Sequence, residues 1–177
     1  NKIIVDFLFA EKPISMEVET VNLNKQLENF MEFIKPELER KKLSLDTKFA
    51  NNIPDLLLDS KLLKQILINL AQNAIAATEE GGKINISTLI KNDSVLLCFA
   101  DSGIGMDKET QNRIFEPYYT TKVTGTGLGL TMVYKIIKEF GGNIDVKSEV
   151  GKGTIFTISL PIPQKETRLL GDKTEKT

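Results

Sequence analysis

Apolar residues recur along the chain in two rhythms, one of three and four residues and one of two, and these divide it into helices and strands. The helical rhythm is clearest at Leu27, Phe30, Met31, Ile34 and Leu38, with Asn22 placed to cap the start. It returns at Leu62, Leu63, Ile66, Leu67 and Leu70, where Asp59 or Ser60 would be the cap. Pro36 falls inside the first pattern and should kink or split that helix. A short helix leads from Asp107 to Arg113, and a longer one covers 128–140, stopping at Gly141-Gly142, where glycine supplies a left-handed cap. The two-residue rhythm predicts strands at 16–21, 43–49, 84–90, 144–148 and 154–160, and the apolar run 95–100 predicts a buried one. Gly81-Gly82, Asn92-Asp93 and Gly151-Lys152-Gly153 mark turns, and 115–126 reads as an ordered lead-in followed by a mobile loop. Helices and strands mix without strict alternation. The expected class is α+β, an α/β sandwich: one mixed, mostly antiparallel sheet of about five strands with helices packed on one face.

Composition narrows the field by exclusion. A chain of 177 residues has room for one ordinary domain and short extensions. No apolar run approaches the ~20 residues of a membrane span, and nothing resembles a signal peptide. The net charge of −1 offers no electrostatic case for nucleic acid or for direct membrane contact. Cys98, the single cysteine, lies in an apolar run, has no internal disulfide partner, and fits a small core residue in a reducing cytosol. The absence of histidine removes His-based acid–base catalysis and His metal sites.

Three units follow from these patterns. Ile3, Ile4, Phe7 and Leu8 make a stripe too short for an isolated helix. With no initiator Met at Asn1, residues 1–12 read as the end of a longer helix and a linker. Residues 13–163 form the globular domain, and 164–177 a polar tail in which only Leu169-Leu170 is apolar.

Candidate chemistry concentrates at three places. Gly125-Thr126-Gly127-Leu128-Gly129-Leu130 is a glycine-rich turn feeding a helix, and orphan amides with a helix dipole favour an anion there. It is not the P-loop pattern, since Leu130-Thr131 stands where Lys followed by Ser or Thr is needed. Asn69 and Asn73 stand four apart, on one face of their helix. Asp101 ends a strand just before Ser102-Gly103-Ile104-Gly105.

Assembled in this order, the residues resemble the catalytic ATP-binding domain of sensor histidine kinases, in the GHKL ATPase superfamily. Asn69-Leu70-Ala71-Gln72-Asn73-Ala74 resembles the family's N box, Asp101 to Gly105 its G1 box, and Phe115-Glu116-Pro117-Tyr118 its F box. Thr120-Thr121-Lys122 and Gly125 to Leu130 resemble the lid and the G2 box, and Gly151-x-Gly153-Thr154-x-Phe156 the closing hairpin. The likeness covers roughly 20–162, and residues 3–10 resemble the last turns of the dimerisation hairpin that carries the phosphoaccepting histidine.

The resemblance implies ATP or ADP with Mg²⁺, a histidine-bearing hairpin and a response-regulator receiver domain as partners, and a cytoplasmic site. Asn73 would give its amide oxygen to Mg²⁺, a hard cation that prefers oxygen. Asp101 would accept from the adenine amino group, Gly103 and Gly105 would let backbone close on the base, and Thr154 could hold Asp101 or a bridging water. Thr120, Thr121 and Lys122 would form the lid, with Lys122 reaching the terminal phosphate. Gly125, Thr126, Gly127, Leu128, Gly129 and Leu130 would supply phosphate-facing amides. Hydrolysing relatives place a glutamate at the position of Asn69; an amide has no basic lone pair at neutral pH, which points to phosphoryl transfer. Ala76-Ala77 departs from the pattern, where many relatives have a basic residue and an aromatic. Phe115, Tyr118 and Tyr119 are expected to be core residues that anchor the lid. A serine kinase of the anti-sigma type and a non-catalytic nucleotide-binding module remain as alternatives.

Overall fold

A computed structural model of the protein describes residues 14–122 and 125–164. The expected helix end at 1–12, the tail beyond 164, and Val123 and Thr124 of the loop lie outside these residues.

Asn22 caps α1 (Leu23–Arg40), its side chain accepting from the Lys25 N–H, and Leu23, Leu27, Phe30, Ile34 and Leu38 form the buried stripe. Pro36 does not split the helix. It lies on the exposed side, where the carbonyl it leaves unbonded reaches water. α2 (Ser60–Ala77) is capped by Asp59, and buries Leu63, Ile66, Leu67, Leu70, Ala71, Ala74 and Ile75. Asp107 caps α3 (Lys108–Arg113). α4 (Gly129–Glu139) has no side-chain cap at its start. It ends as expected, with Gly142 N–H bonded to the Ile137 carbonyl and Gly141 N–H to that of Lys138.

Five strands, β2 (Ser44–Lys48), β4 (Lys83–Lys91), β5 (Ser94–Asp101), β6 (Asn143–Glu149) and β7 (Gly153–Pro161), make the main sheet in the order β2-β4-β5-β7-β6. Only β2 and β4 run parallel, the chain crossing between them through α2. Ile84 and Ile86 of β4, Val95, Leu97 and Phe99 of β5, and Phe156, Ile158 and Leu160 of β7 point into one core, which α1, α2 and α4 cover. The expected α+β sandwich with helices on one face is what the chain adopts.

Several local expectations need correction. β5 is buried on one face only, because Leu96, Cys98 and Ala100 alternate onto the open face of the sheet. Cys98 is therefore half-exposed, with Thr157 Oγ1 at 4.0 Å, rather than a core residue. β1 (Glu19–Val21) is shorter than 16–21, and its partner is β3 (Leu56–Leu58), a strand the two-residue rhythm did not reveal. Three leucines in a row carry no alternation in type, yet Leu56 and Leu58 are buried and Leu57 is exposed. Leu43 and Phe49 flank β2 instead of belonging to it.

Asp59 explains why β1 starts late. Its Oδ2 accepts the Glu17 N–H at 2.8 Å, diverting that group from the ladder, while Oδ1 accepts Lys61 and Leu62 N–H at 2.9 and 3.1 Å. These bonds, led by the one from Glu17, hold its carboxyl below the usual aspartate range despite its burial. Asp59→Ala should cost about 1–2 kcal/mol. Because the folded-state pKa is depressed, that contribution is complete above about pH 4 and fades as pH falls through the lower folded value. Chemical denaturation across pH should therefore show a flatter acid limb in the variant, and an unchanged limb would contradict this role.

Candidate active site

The C-terminal half of α2, the end of β5, the start of β7 and the start of α4 enclose a cavity of about 440 Å³. It is lined by all the predicted site residues except Gly103 and Leu128. Gly103 instead serves Asp101, giving its N–H to Oδ1 at 2.9 Å, and Leu128 is 43% exposed at the outer edge of α4.

Asp101 stands at the apolar end. Ile104, Met106, Ile114 and Phe156 supply the walls there; Ile104 and Phe156 stand in the quoted motifs without a role assigned to them, and Met106 and Ile114 stand in none. Burial raises the Asp101 pKa, and the backbone N–H groups of Gly103 and Thr154 partly offset this by holding the carboxylate. Thr154 faces Asp101 across the β5–β7 ladder. Its hydroxyl, however, lies 2.9 Å from Ser148 Oγ; the side-chain partner in the structure is thus Ser148 rather than Asp101. Backbone crowding fixes this corner. Gly153 has φ +95°, and a Cβ on it would overlap the Asp101 carbonyl. Gly105 has φ +67°, and a Cβ there would overlap the Glu149 carbonyl.

The polar end is built on α2. Asn69 and Asn73 both line the cavity, as the four-residue spacing requires. Asn69 Nδ2 donates to the Gln65 carbonyl at 2.9 Å, and a Cβ on Gly129 would come within 2.6 Å of Asn69 Oδ1. The first turn of α4 packs against that amide because Gly129 has no side chain. Lys122 Nζ donates to Asn73 Oδ1 at 2.8 Å. The atoms packed around the ammonium lower its pKa, and the charge of Lys41, itself bonded to the Ile75 carbonyl, lowers it further. Ala76 and Ala77 leave room beside these groups. Among the described residues lining the cavity, Asp101 is the only carboxylate.

The lid root is held by α3. Tyr119 lines the cavity, Arg113 lies 4.3 Å from its ring centre, and its hydroxyl meets Thr110 Oγ1 at 3.4 Å. Phe115 packs on Tyr134 at 5.4 Å between centres. Tyr118 departs from expectation: it is 77% exposed, with φ +64°, so it anchors nothing in the core.

The sequence profile described as histidine kinase-, DNA gyrase B- and HSP90-like ATPases matches residues 58–164. The chain belongs to this ATPase family. Within the family, the histidine kinases resemble it over most of its length. It is 36% identical over 174 residues to sporulation kinase E of Bacillus subtilis, a match covering 98% of the chain and 24% of that relative. The chain thus spans about a quarter of the curated relative's length. The catalytic domain of the histidine kinase ThkA superimposes with a TM-score of 0.76 at 33% identity, covering 82% of this chain and 96% of that one. ThkA in complex with the response regulator TrrA gives 0.75 at 29% identity, covering 92% and 47%. Full-length ShkA in complex with AMPPNP gives 0.77 at 27%, covering 91% and 34%. This ATPase domain therefore has the fold of histidine kinase catalytic domains.

Gly105→Ala should lower stability by about 2–4 kcal/mol, since left-handed strain adds to a collision with backbone that cannot rotate away. Gly151→Ala, at a similar φ of +78° but facing open space, isolates the strain alone. Equal losses in thermal unfolding would show that the Glu149 collision is immaterial.

Proposed function

We propose that this domain binds ATP in the cavity and transfers its γ-phosphoryl group to a histidine on a dimerisation hairpin, from which it passes to a response-regulator receiver domain. The supporting observation is the polar end of the cavity, where an amide, Asn69, stands and the described lining offers no carboxylate or histidine beside it. An amide cannot act as general base toward water, which favours a nucleophile supplied by a partner over hydrolysis. The nucleotide-analogue complex of ShkA and the receiver complex of ThkA agree with this reading.

Asp101 accepts from the amino group of adenine; guanine presents no donor there. The uncapped first turn of α4 directs main-chain N–H groups at phosphate oxygens. Asn73 would hold Mg²⁺ through Oδ1, and the ion would neutralise phosphate charge. Lys122 holds that same oxygen in this structure, so with Asn73 committed to an ion its ammonium would be free to stabilise charge on the terminal phosphate. One amide oxygen is a poor site by itself, and Mg²⁺ alone should bind weakly. Tyr118, Leu128 and Met132 expose apolar surface beside the lid root, linked by the Tyr118 N–H bond to the Gly127 carbonyl at 3.0 Å. That surface suits a hairpin helix presenting its histidine. None of the described helices is long and apolar enough to cross a membrane, and we place the domain in the cytoplasm.

Incubating the parent protein with γ-labelled ATP and Mg²⁺ should give acid-labile, base-stable label with little free phosphate. Acid-stable label would point to a serine kinase, and rapid phosphate release to a hydrolase. Asp101→Asn should weaken ATP binding about 10- to 100-fold. In the unmodified chain, affinity should fall as pH drops through the raised Asp101 pKa, a step that Asp101→Asn removes. Lys122→Ala should slow transfer about 100-fold with a much smaller effect on ATP affinity; an equal loss in both would assign Lys122 to ground-state binding.

A further inference from the structure

Gln111, on α3, does not line the cavity, yet its side-chain amide is bonded at both ends. Nε2 donates to the carbonyls of Met106 and Ser148 at 2.9 Å each, and to that of Asp107 at 3.2 Å. Oε1 accepts the Ser148 N–H at 3.2 Å. β6 is the last strand of the sheet, so the outward N–H and C=O of Ser148 have no neighbouring strand. The Gln111 amide takes both, as the peptide of a sixth strand would.

This pairing reaches the cavity through Ser148. Ser148 and Thr154 face each other in the β6–β7 ladder. With the main-chain groups of Ser148 turned outward, they form a non-hydrogen-bonded pair, the type whose side chains lie closest. Ser148 Oγ accepts the Met106 N–H at 2.8 Å, donates to the Gly153 carbonyl at 2.9 Å, and lies 2.9 Å from Thr154 Oγ1. A hydroxyl has one proton. With that proton on Gly153, Thr154 is the donor of its pair with Ser148, and its lone pairs are left for the cavity.

We propose that Gln111 is a positioning residue for the base end of the nucleotide cavity, locking the loop 102–107 and the 148–154 hairpin at one spacing. The assignment rests on the nucleotide reading above. Of the groups that spacing sets, Ile104, Gly105 and Met106 come from the loop and Thr154 from the hairpin, and Asp101 lies between them.

In the 177-residue chain, Gln111→Ala should weaken ADP binding about 10-fold. Cooperative unfolding should persist, and amide exchange should accelerate at Ser148 but not along β7. Gln111→Glu can accept from Ser148 but cannot donate while ionised. It should bind as poorly as the alanine variant at about pH 8 and recover, relative to the unmodified chain, as pH falls through the new carboxyl's pKa, about 4.3 for an unperturbed glutamate. Asp107 on α3 and Glu149 with Lys152 on the hairpin are the charges flanking that position. Lys108→Ala, an exposed position on the same helix, should stay within about twofold of the unmodified chain. Wild-type affinity in Gln111→Ala, no recovery at low pH in Gln111→Glu, or an equal loss in Lys108→Ala would each overturn the role. If the unmodified chain itself bound no ADP, the nucleotide reading would fall and the positioning role with it, whereas fast exchange at Ser148 in Gln111→Ala would still report the lock.

Discussion

Helix α2 packs against α1, α4 and β5 at once, and this triple burial decides where the polar groups of the cavity can be. Seven of its side chains are committed to the core. The row left over by the same 3.6-residue period carries Asn69, Asn73, Ala76 and Ala77. Polar chemistry is therefore presented along a line that is as rigid as the packing beneath it. The approach of α4 to that line is set by what Gly129 lacks, since any side chain would meet Asn69.

The two ends of the cavity differ in how they treat charge. Asp101 is an anion in mostly apolar company, kept ionisable by two main-chain N–H groups rather than by a cation. At the other end, a lysine is satisfied by an amide oxygen and crowded by a second lysine. An acceptor at one end and cationic and N–H donors at the other form a polarity gradient along the cleft. A molecule that is a donor at its base and anionic at its tail matches it. The asymmetry limits orientation as well as identity.

Elements with a strong period could be read from the chain itself. The stripes of α1, α2 and α4, the caps Asn22, Asp59 and Asp107, and the Asn69–Asn73 face needed only spacing and cap chemistry. What escaped had no local signature. β3 is three identical residues that pairing with the three-residue β1 makes a strand. Gln111 and Ser148 are 37 residues apart in sequence, and although each falls in an expected element, nothing local pairs the two. Ile104, Met106, Ile114 and Phe156 could be read as apolar, but only the fold shows that they also wall a cavity. Tyr118 was misjudged because aromatic character favours burial, whereas its left-handed backbone and its bond to Gly127 turn the ring outward.

The main sheet is open rather than closed into a barrel, and so has two edges. On one, β2 exposes Asp46 and Lys48, with Asp46 paired to Lys83 of β4. On the other, β6 exposes Asp145, Lys147 and Glu149, and Gln111 occupies the main-chain groups of Ser148. Unpaired strand edges invite the edges of other copies, and charges or covered amides discourage them. Each edge of this sheet is blunted along most of its length. Copies held near one another can thus collide repeatedly without their sheets merging into an aggregate.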